Sequence, residues 1–285
     1  MYIKKYKDIP RGFSYKIRDK TRSIVLDILS FRIKTRYRKL LKTPRVQFVY
    51  LHHIFEDEIE IFDNLIHDLN KIYKIIPFSE AVNRVYENNI DRPYLAFSSD
   101  DGFKSNLNAH KVFSKHNISA CFFLCTDFIG LNNYNRIKEI CESKFHLPPI
   151  EFLNNNDIKF LISEGHEIGS HTTNHSNLKT LDSKNLNSAI KDSFTYIKKL
   201  LGFVKHFSFP YGTISHFPIE ARAIVNNTGY VSCVSAIRGC HLKQKKEINS
   251  SEITIKRDIL NVNYNFKHVL YFMVKNIKDE KKEKY

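Results

Sequence analysis

From Val46 onward, short apolar runs alternate with amphipathic stretches along the chain. That alternation commits the sequence to an α/β architecture, because each buried strand needs a helix to cover one face of the sheet. Val46–Leu51, Tyr94–Ser99, Ala120–Thr126, Glu167–Ser170, His206–Phe209, Tyr230–Val234 and Glu252–Ile255 read as strands. Asp57–Tyr73, Ser79–Asn88, Asn106–Lys115, Asn156–Glu164, Ser183–Leu201, Pro218–Asn227 and Phe266–Lys275 read as helices. About seven such alternations suit a closed or nearly closed β/α barrel better than a flat sheet. Leu131–Pro149 breaks the rhythm, ends in two prolines, and reads as an excursion that shapes a substrate groove. A chain of 285 residues is long enough for one barrel, and an apolar content of 42% excludes wholesale disorder.

The net charge of +15 is unevenly placed. Residues 1–45 hold fifteen Lys or Arg against three Asp, a net +12, leaving +3 for the other 240 residues. A basic segment (1–45), a barrel (46–277) and a charged tail (278–285) are therefore expected as separate units. Thr21–Leu41 reads as an amphipathic helix: Ile24, Ile28 and Phe31 recur at helical spacing beside Val25 and Leu29, while Arg32, Lys34, Arg36, Arg38 and Lys39 supply charge. Such a helix either packs on the barrel with its basic face in water or lies on an anionic membrane surface. There each basic residue contributes on the order of 1 kcal/mol. Nucleic acid ranks last as a partner, since no recognition motif accompanies the charge.

The sequence shows neither an apolar window of membrane-spanning length nor a secretory-type apolar core. The expected location is the cytoplasm, with the inner face of the membrane as a docking surface. Five cysteines without a CxxC pair read as reduced thiols rather than a disulfide framework. Cys121 and Cys125 share one strand face with Phe123 and read as core.

Three short segments carry chemistry. LAFSSDDG (95–102) is an apolar strand ending in two carboxylates and a glycine, at the end of a barrel strand where catalytic acids sit. Asp100 and Asp101 leave the strand in different directions, so one can ligate a cation while the other takes a proton; an ordinary turn and helix cap is the simpler alternative. GHEIGSHTTNH (165–175) places His171 and His175 among Thr, Asn and Ser after a short strand. Two imidazoles and one carboxylate suit zinc or a similar divalent ion and leave positions open, although thirteen histidines make a chance pair common. FSFPYG (207–212) is a strand that must turn at Pro210 and can present a backbone N–H there.

In that order, DDG, then HxxxH, then PYG, the sequence from about Val46 to Ile259 resembles the polysaccharide deacetylase family, the NodB-homology or carbohydrate esterase family 4 group. Helix Asn106–Lys115 and the phrases ISACFFLCTDFIG and GHEIGSHTTNHSNLKTL belong to the resemblance. It implies a distorted (β/α)7 barrel, here with a basic helical N-terminal extension, and a hydrolase of linear amide C–N bonds that removes an N-acetyl group from an amino sugar. Asp100 matches the family's catalytic base. Asp101, His171 and His175 match its metal triad, with Zn2+ the expected ion. Pro210 and Tyr211 match its groove wall, where the Tyr N–H helps form an oxyanion hole.

Departures from the family pattern are equally specific. The usual TFDDG opening is SSDDG here, with Ser98 and Ser99, and Ser208 stands where many members carry the arginine that orients the base. Arg257 in EITIKRDI is the candidate replacement, with an exposed arginine as the plain alternative. The chain has no Trp, and the late Leu-x-His motif is absent, so the general acid must come from elsewhere. His53 in VYLHH is the candidate, with His52 beside it; strand alternation lets only one of them face the barrel mouth. His268 reads as a packed surface histidine.

The expected substrate is an acylated amino sugar of a polysaccharide or of its lipid- or nucleotide-linked precursor. A deformylase or other deacylase using the same machinery, and an inactive sugar-binding relative, are the competing readings.

Overall fold

The computed structural model describes residues 1–10, 13–31, 38–244, 249 and 252–282. Among the described residues, ten strands form one curled sheet. They are β1 (Arg45–Leu51), β2 (Lys74–Ile75), β3 (Pro93–Ser99), β4 (Ala120–Leu124), β5 (Glu167–Ser170), β6 (His206–Ser208), β7 (Ser232–Val234), β8 (His241–Leu242), β9 (Thr254–Ile255) and β10 (Asp258–Ile259). The hydrogen-bonded order is β10-β1-β3-β4-β5-β6-β7-β9; β2 pairs with β3, and β8 runs antiparallel to β1. All the pairings along that path are parallel. This is a curled, barrel-like sheet, as the strand–helix alternation led one to expect. Its two edge strands, β9 and β10, lie on one stretch of chain, with Lys256 and Arg257 between them.

Alternation along the strands fixes what faces inward. Val46 and Phe48 of β1, Ala96 of β3, and Cys121 and Phe123 of β4 pack with Val234 and Ile255 inside the barrel. Val49, Leu51, Leu95, Phe97, Phe122 and Leu124 point the other way, onto the covering helices. The inward layer nearest the strands' C-terminal ends is polar: Ser98 and Ser208 continue the inward series of β3 and β6.

Three expectations need correction. The helix expected at Phe266–Lys275 runs on to Lys282, so the charged tail from residue 278 starts inside it. Met273, Val274 and Ile277 continue its apolar stripe into the core, and Lys256 pairs with Glu280; residues 283–285 lie outside the described ones. The second correction concerns the N-terminal helix. Of the expected Thr21–Leu41, a short helix covers Arg38–Leu41, residues 32–37 with Arg32, Lys34 and Arg36 lie outside the described residues, and the first part belongs to a helix that begins earlier, Phe13–Ser30. The helix docks through Leu26 and through Asp27, which accepts from His268 and Lys267. Its apolar ridge points outward, with Ile24 54%, Ile28 69% and Phe31 83% exposed. His268 is buried rather than a surface histidine.

Helix Asn106–Lys115 is tied to the sheet by a directional chain. The Ala120 N–H donates to His166 Nδ1 at 3.1 Å, which leaves His166 Nε2 to donate to His110 Nδ1 at 2.9 Å. Burial holds His166 down to about 4. The folded state therefore keeps this imidazole neutral, and its contribution is complete above the unfolded value near 6.5 and lost as pH falls toward 4. Replacing His166 by Asn, which does not protonate, should flatten the dependence of unfolding free energy on pH between about 6.5 and 4 relative to wild type. Denaturant melts across that range check it; parallel curves would contradict the assignment.

Candidate active site

The C-terminal ends of β1, β3, β5 and β6 converge on a cleft of about 490 Å³. Asp100 and Asp101 end β3, His171 follows β5, His175 lies one turn further on, and Tyr211 follows β6. Asp101, Thr172, His175 and Tyr211 all adopt positive φ, at 72°, 67°, 58° and 62°. Such values are costly for side-chain-bearing residues and concentrate at functional sites. Gly212 takes φ 63°, and a Cβ there would lie 2.2 Å from Ala236 Cβ, so only glycine fits this turn.

Asp101 Oδ1 lies 3.4 Å from His171 Nε2 and 3.5 Å from His175 Nε2. His171 Nδ1 donates to the Ser208 carbonyl at 2.7 Å, which turns the Nε2 lone pair toward Asp101. Burial pushes His175 down to about 4, so it is neutral, as a metal ligand must be. Burial opposes protonation of His171 as well, but Asp101 and Asp100 outweigh it and pull its pKa up. Asp101 Oδ1 is buried without a hydrogen-bond partner, a costly state that a cation would relieve. Ligands about 2.0–2.2 Å from a tetrahedral ion sit roughly 3.4 Å apart, so these three side chains fit a divalent transition metal.

Asp100 faces the other way. Arg257 donates to both its oxygens, at 2.8 and 2.7 Å, and is itself held by Ser98 Oγ, Ser208 Oγ and the Ser235 carbonyl. The guanidinium lies over the rings of Tyr50 and Phe123 and is fully buried. Burial alone would raise the Asp100 carboxyl; Arg257, then His171, overcome it and hold the group below the usual carboxylate range. Two of the three serines that stand as departures in the sequence, Ser98 and Ser208, are thus the hydroxyls that position Arg257. Arg257, the sequence's candidate replacement for the missing arginine, reaches Asp100 from the β9–β10 connection; the serines' part in holding it is what the sequence pattern does not announce.

Both histidines of the VYLHH phrase line the cleft, against the expectation that only one would. The strand ends at Leu51, so alternation no longer applies beyond it. His52 is half-buried, with Nε2 3.9 Å from Asp101 Oδ2. His53 is enclosed by Phe55 and Phe103, and burial pushes it down to about 3. Pro210 is buried and does not line the cleft; Phe209, Tyr211 and Gly212 form that wall. The Leu131–Pro149 excursion contributes the opposite rim through Ser143–Leu147, residues no sequence motif marks.

A polysaccharide deacetylase family model matches residues 87–232. No curated protein matches significantly. Among solved structures, the fold is similar to the Streptococcus pyogenes deacetylase PplD (17% identity, 81% of this chain and 98% of that one, TM-score 0.62). It is also similar to IcaB from Ammonifex degensii (14%, 81% and 97%, 0.61) and to a de-N-acetylase from Aggregatibacter actinomycetemcomitans (16%, 80% and 99%, 0.60).

Removing Arg257 should strand a buried carboxylate. Arg257→Met is expected to cost about 3–5 kcal/mol of stability. Arg257→Lys, which keeps charge but loses the two-pronged geometry, should fold and let the Asp100 pKa rise. The acid limb of any activity requiring ionised Asp100 then moves to higher pH. Denaturant melts and pH–rate profiles check both; an unshifted limb in the lysine variant would contradict the coupling.

Proposed function

The chain belongs to the polysaccharide deacetylase family, and from that premise we propose that it is a metal-dependent hydrolase removing the N-acetyl group of an amino sugar in a polysaccharide or its lipid- or nucleotide-linked precursor. The observation that carries the proposal is the convergence of Asp101, His171 and His175 beside an ionised Asp100 in one cleft.

Asp101, His171 and His175 would hold the ion. A divalent cation bound there, Zn2+ by the donor set, would polarise the amide carbonyl and favour attack by water at neutral pH. Asp100, kept ionised and oriented by Arg257, takes the proton from the attacking water. Among the described residues no acceptor meets the Tyr211 N–H, so it is free to donate to the developing oxyanion, a contact worth roughly 3 kcal/mol in a dry site. The departing amine needs a proton. His53, walled by Phe55 and Phe103, is the proposed donor by position; burial lowers its pKa, so it must first take up a proton before it can pass one to the amine. His52 is the second candidate on the strength of its approach to Asp101.

Acetate release from N-acetylated amino sugars, measured beside formate release from the N-formyl analogues, tests the reading. Loss of about 100-fold or more in Asp100→Asn is expected for a catalytic base. The deeper loss among His53→Gln and His52→Gln identifies the donor. A wild type that binds such sugars but releases neither acid would favour the sugar-binding alternative.

The outward ridge of Ile24, Ile28 and Phe31, on a segment with net charge +12, supports an anionic membrane surface as partner. The proposed location is therefore the cytoplasm, at the inner face of the membrane. Among the described residues no helix is long and apolar enough to cross a membrane. Vesicles with anionic headgroups should float the wild type but not the triple variant Ile24→Ser, Ile28→Ser, Phe31→Ser. Equal flotation of both would end the membrane reading.

A further inference from the structure

We infer that Lys144 forms an anion subsite of the catalytic cleft, so that the substrate is an acylated amino sugar carrying a phosphate or carboxylate close to its acylamino group. The inference rests on the deacetylase reading for where the acyl group sits. Lys144 belongs to a single π-helical turn, Cys141–Phe145, which His146 ends in the left-handed region at φ 53°. Such turns recur at functional sites.

The turn is fixed rather than adaptable. Phe145 packs against Phe103 at 5.1 Å and against the ring of His175 at 4.9 Å, and the Leu147 N–H donates to the Cys141 carbonyl. From outside, the first residues of the chain brace the same excursion. Ile3 N–H donates to the Pro149 carbonyl at 3.0 Å, and the Tyr2 ring meets Tyr134 edge-on at 5.3 Å. Asp57 in turn accepts from the Tyr6 and Lys7 N–H groups, at 2.7 and 3.2 Å, anchoring this strap to the barrel. The strap therefore belongs structurally with the cleft and not with a separate basic unit.

On this rim Lys144 is half-buried and lines the cleft. The excursion's other two cations are paired, Arg136 with Glu139 and Lys138 with Glu142. Among the described residues no carboxylate lies within ion-pair distance of Lys144; Asp127 feels its charge only from further off. Among the described residues the acids lining the cleft are Asp100 and Asp101 alone, and these already face Arg257 and the two imidazoles. A substrate filling the cleft strips water from the ammonium. A neutral glycan leaves that charge uncompensated, whereas an anionic one neutralises it, so the rim selects by charge as well as by fit.

The test uses the metal-loaded full chain and three substrates: N-acetylglucosamine 1-phosphate, its neutral methyl glycoside, and a disaccharide of N-acetylglucosamine with glucuronate. Wild type should favour at least one anionic substrate by about tenfold in kcat/KM, mainly through KM. Lys144→Ala should erase that preference and Lys144→Arg keep most of it. Preference for the phosphate points to a linked precursor, and preference for the glucuronate to an acidic polymer. A preference that survives in Lys144→Ala, or none in wild type, overturns the subsite. If nothing is hydrolysed, the deacetylase reading fails, and calorimetric binding of the same three compounds still decides: affinity for the anionic sugars must fall with Lys144→Ala or the subsite is wrong.

Discussion

The active end of this barrel depends on one buried ion pair. Arg257 is fully buried, and Asp100 nearly so; either charge alone would be expensive in the barrel interior. Together, with Ser98, Ser208 and the Ser235 carbonyl taking the remaining donors, they convert a desolvated layer into a rigid polar floor. The pair also links chain regions that the fold otherwise leaves apart, since β3 supplies the carboxylate and the β9–β10 connection the guanidinium. Asp101 is then left free to face His171 and His175 on the other side of the strand end.

Backbone strain is concentrated beside this floor. Asp101, Thr172, His175 and Tyr211 each hold a positive φ. Local ties hold the HxxxH phrase there: the His171 N–H donates to the Leu124 carbonyl, the Thr126 N–H to the Thr172 carbonyl, and the His175 N–H to Thr172 Oγ1. The ligand-bearing loop is thereby fastened to β4 before any ion is considered, which is the preorganisation a metal or oxyanion site requires.

Much of this was legible in the residues. Strand Glu167–Ser170 and helices Asn106–Lys115 and Ser183–Leu201 fall where periodicity puts them, because their apolar spacing and the turns around them agree. The carboxylate pair and the two histidines lie together as their motif order led one to expect. Other features were hidden for physical reasons. The last helix outruns its apolar run because Ile277, one turn after Met273, and the Glu280–Lys256 pair keep its end docked. The N-terminal ridge looked like a docking face, yet a polar contact, Asp27 to His268 and Lys267, decides how that helix sits. Ser98 and Ser208 looked like losses because the sequence offers Arg257 as a replacement but does not show that these two hydroxyls hold it. The rim at Ser143–Leu147 has no periodicity to read, and its role follows only from where Phe145 packs.

The measurement closest to the central claim is metal stoichiometry on protein purified without chelator or metal-affinity resin, compared with Asp101→Asn and His171→Ala. The account predicts about one divalent transition ion per chain in wild type and loss of affinity of 10-fold or more in both variants. A wild type that takes up neither zinc, cobalt nor nickel, or variants that bind as tightly as wild type, would contradict it.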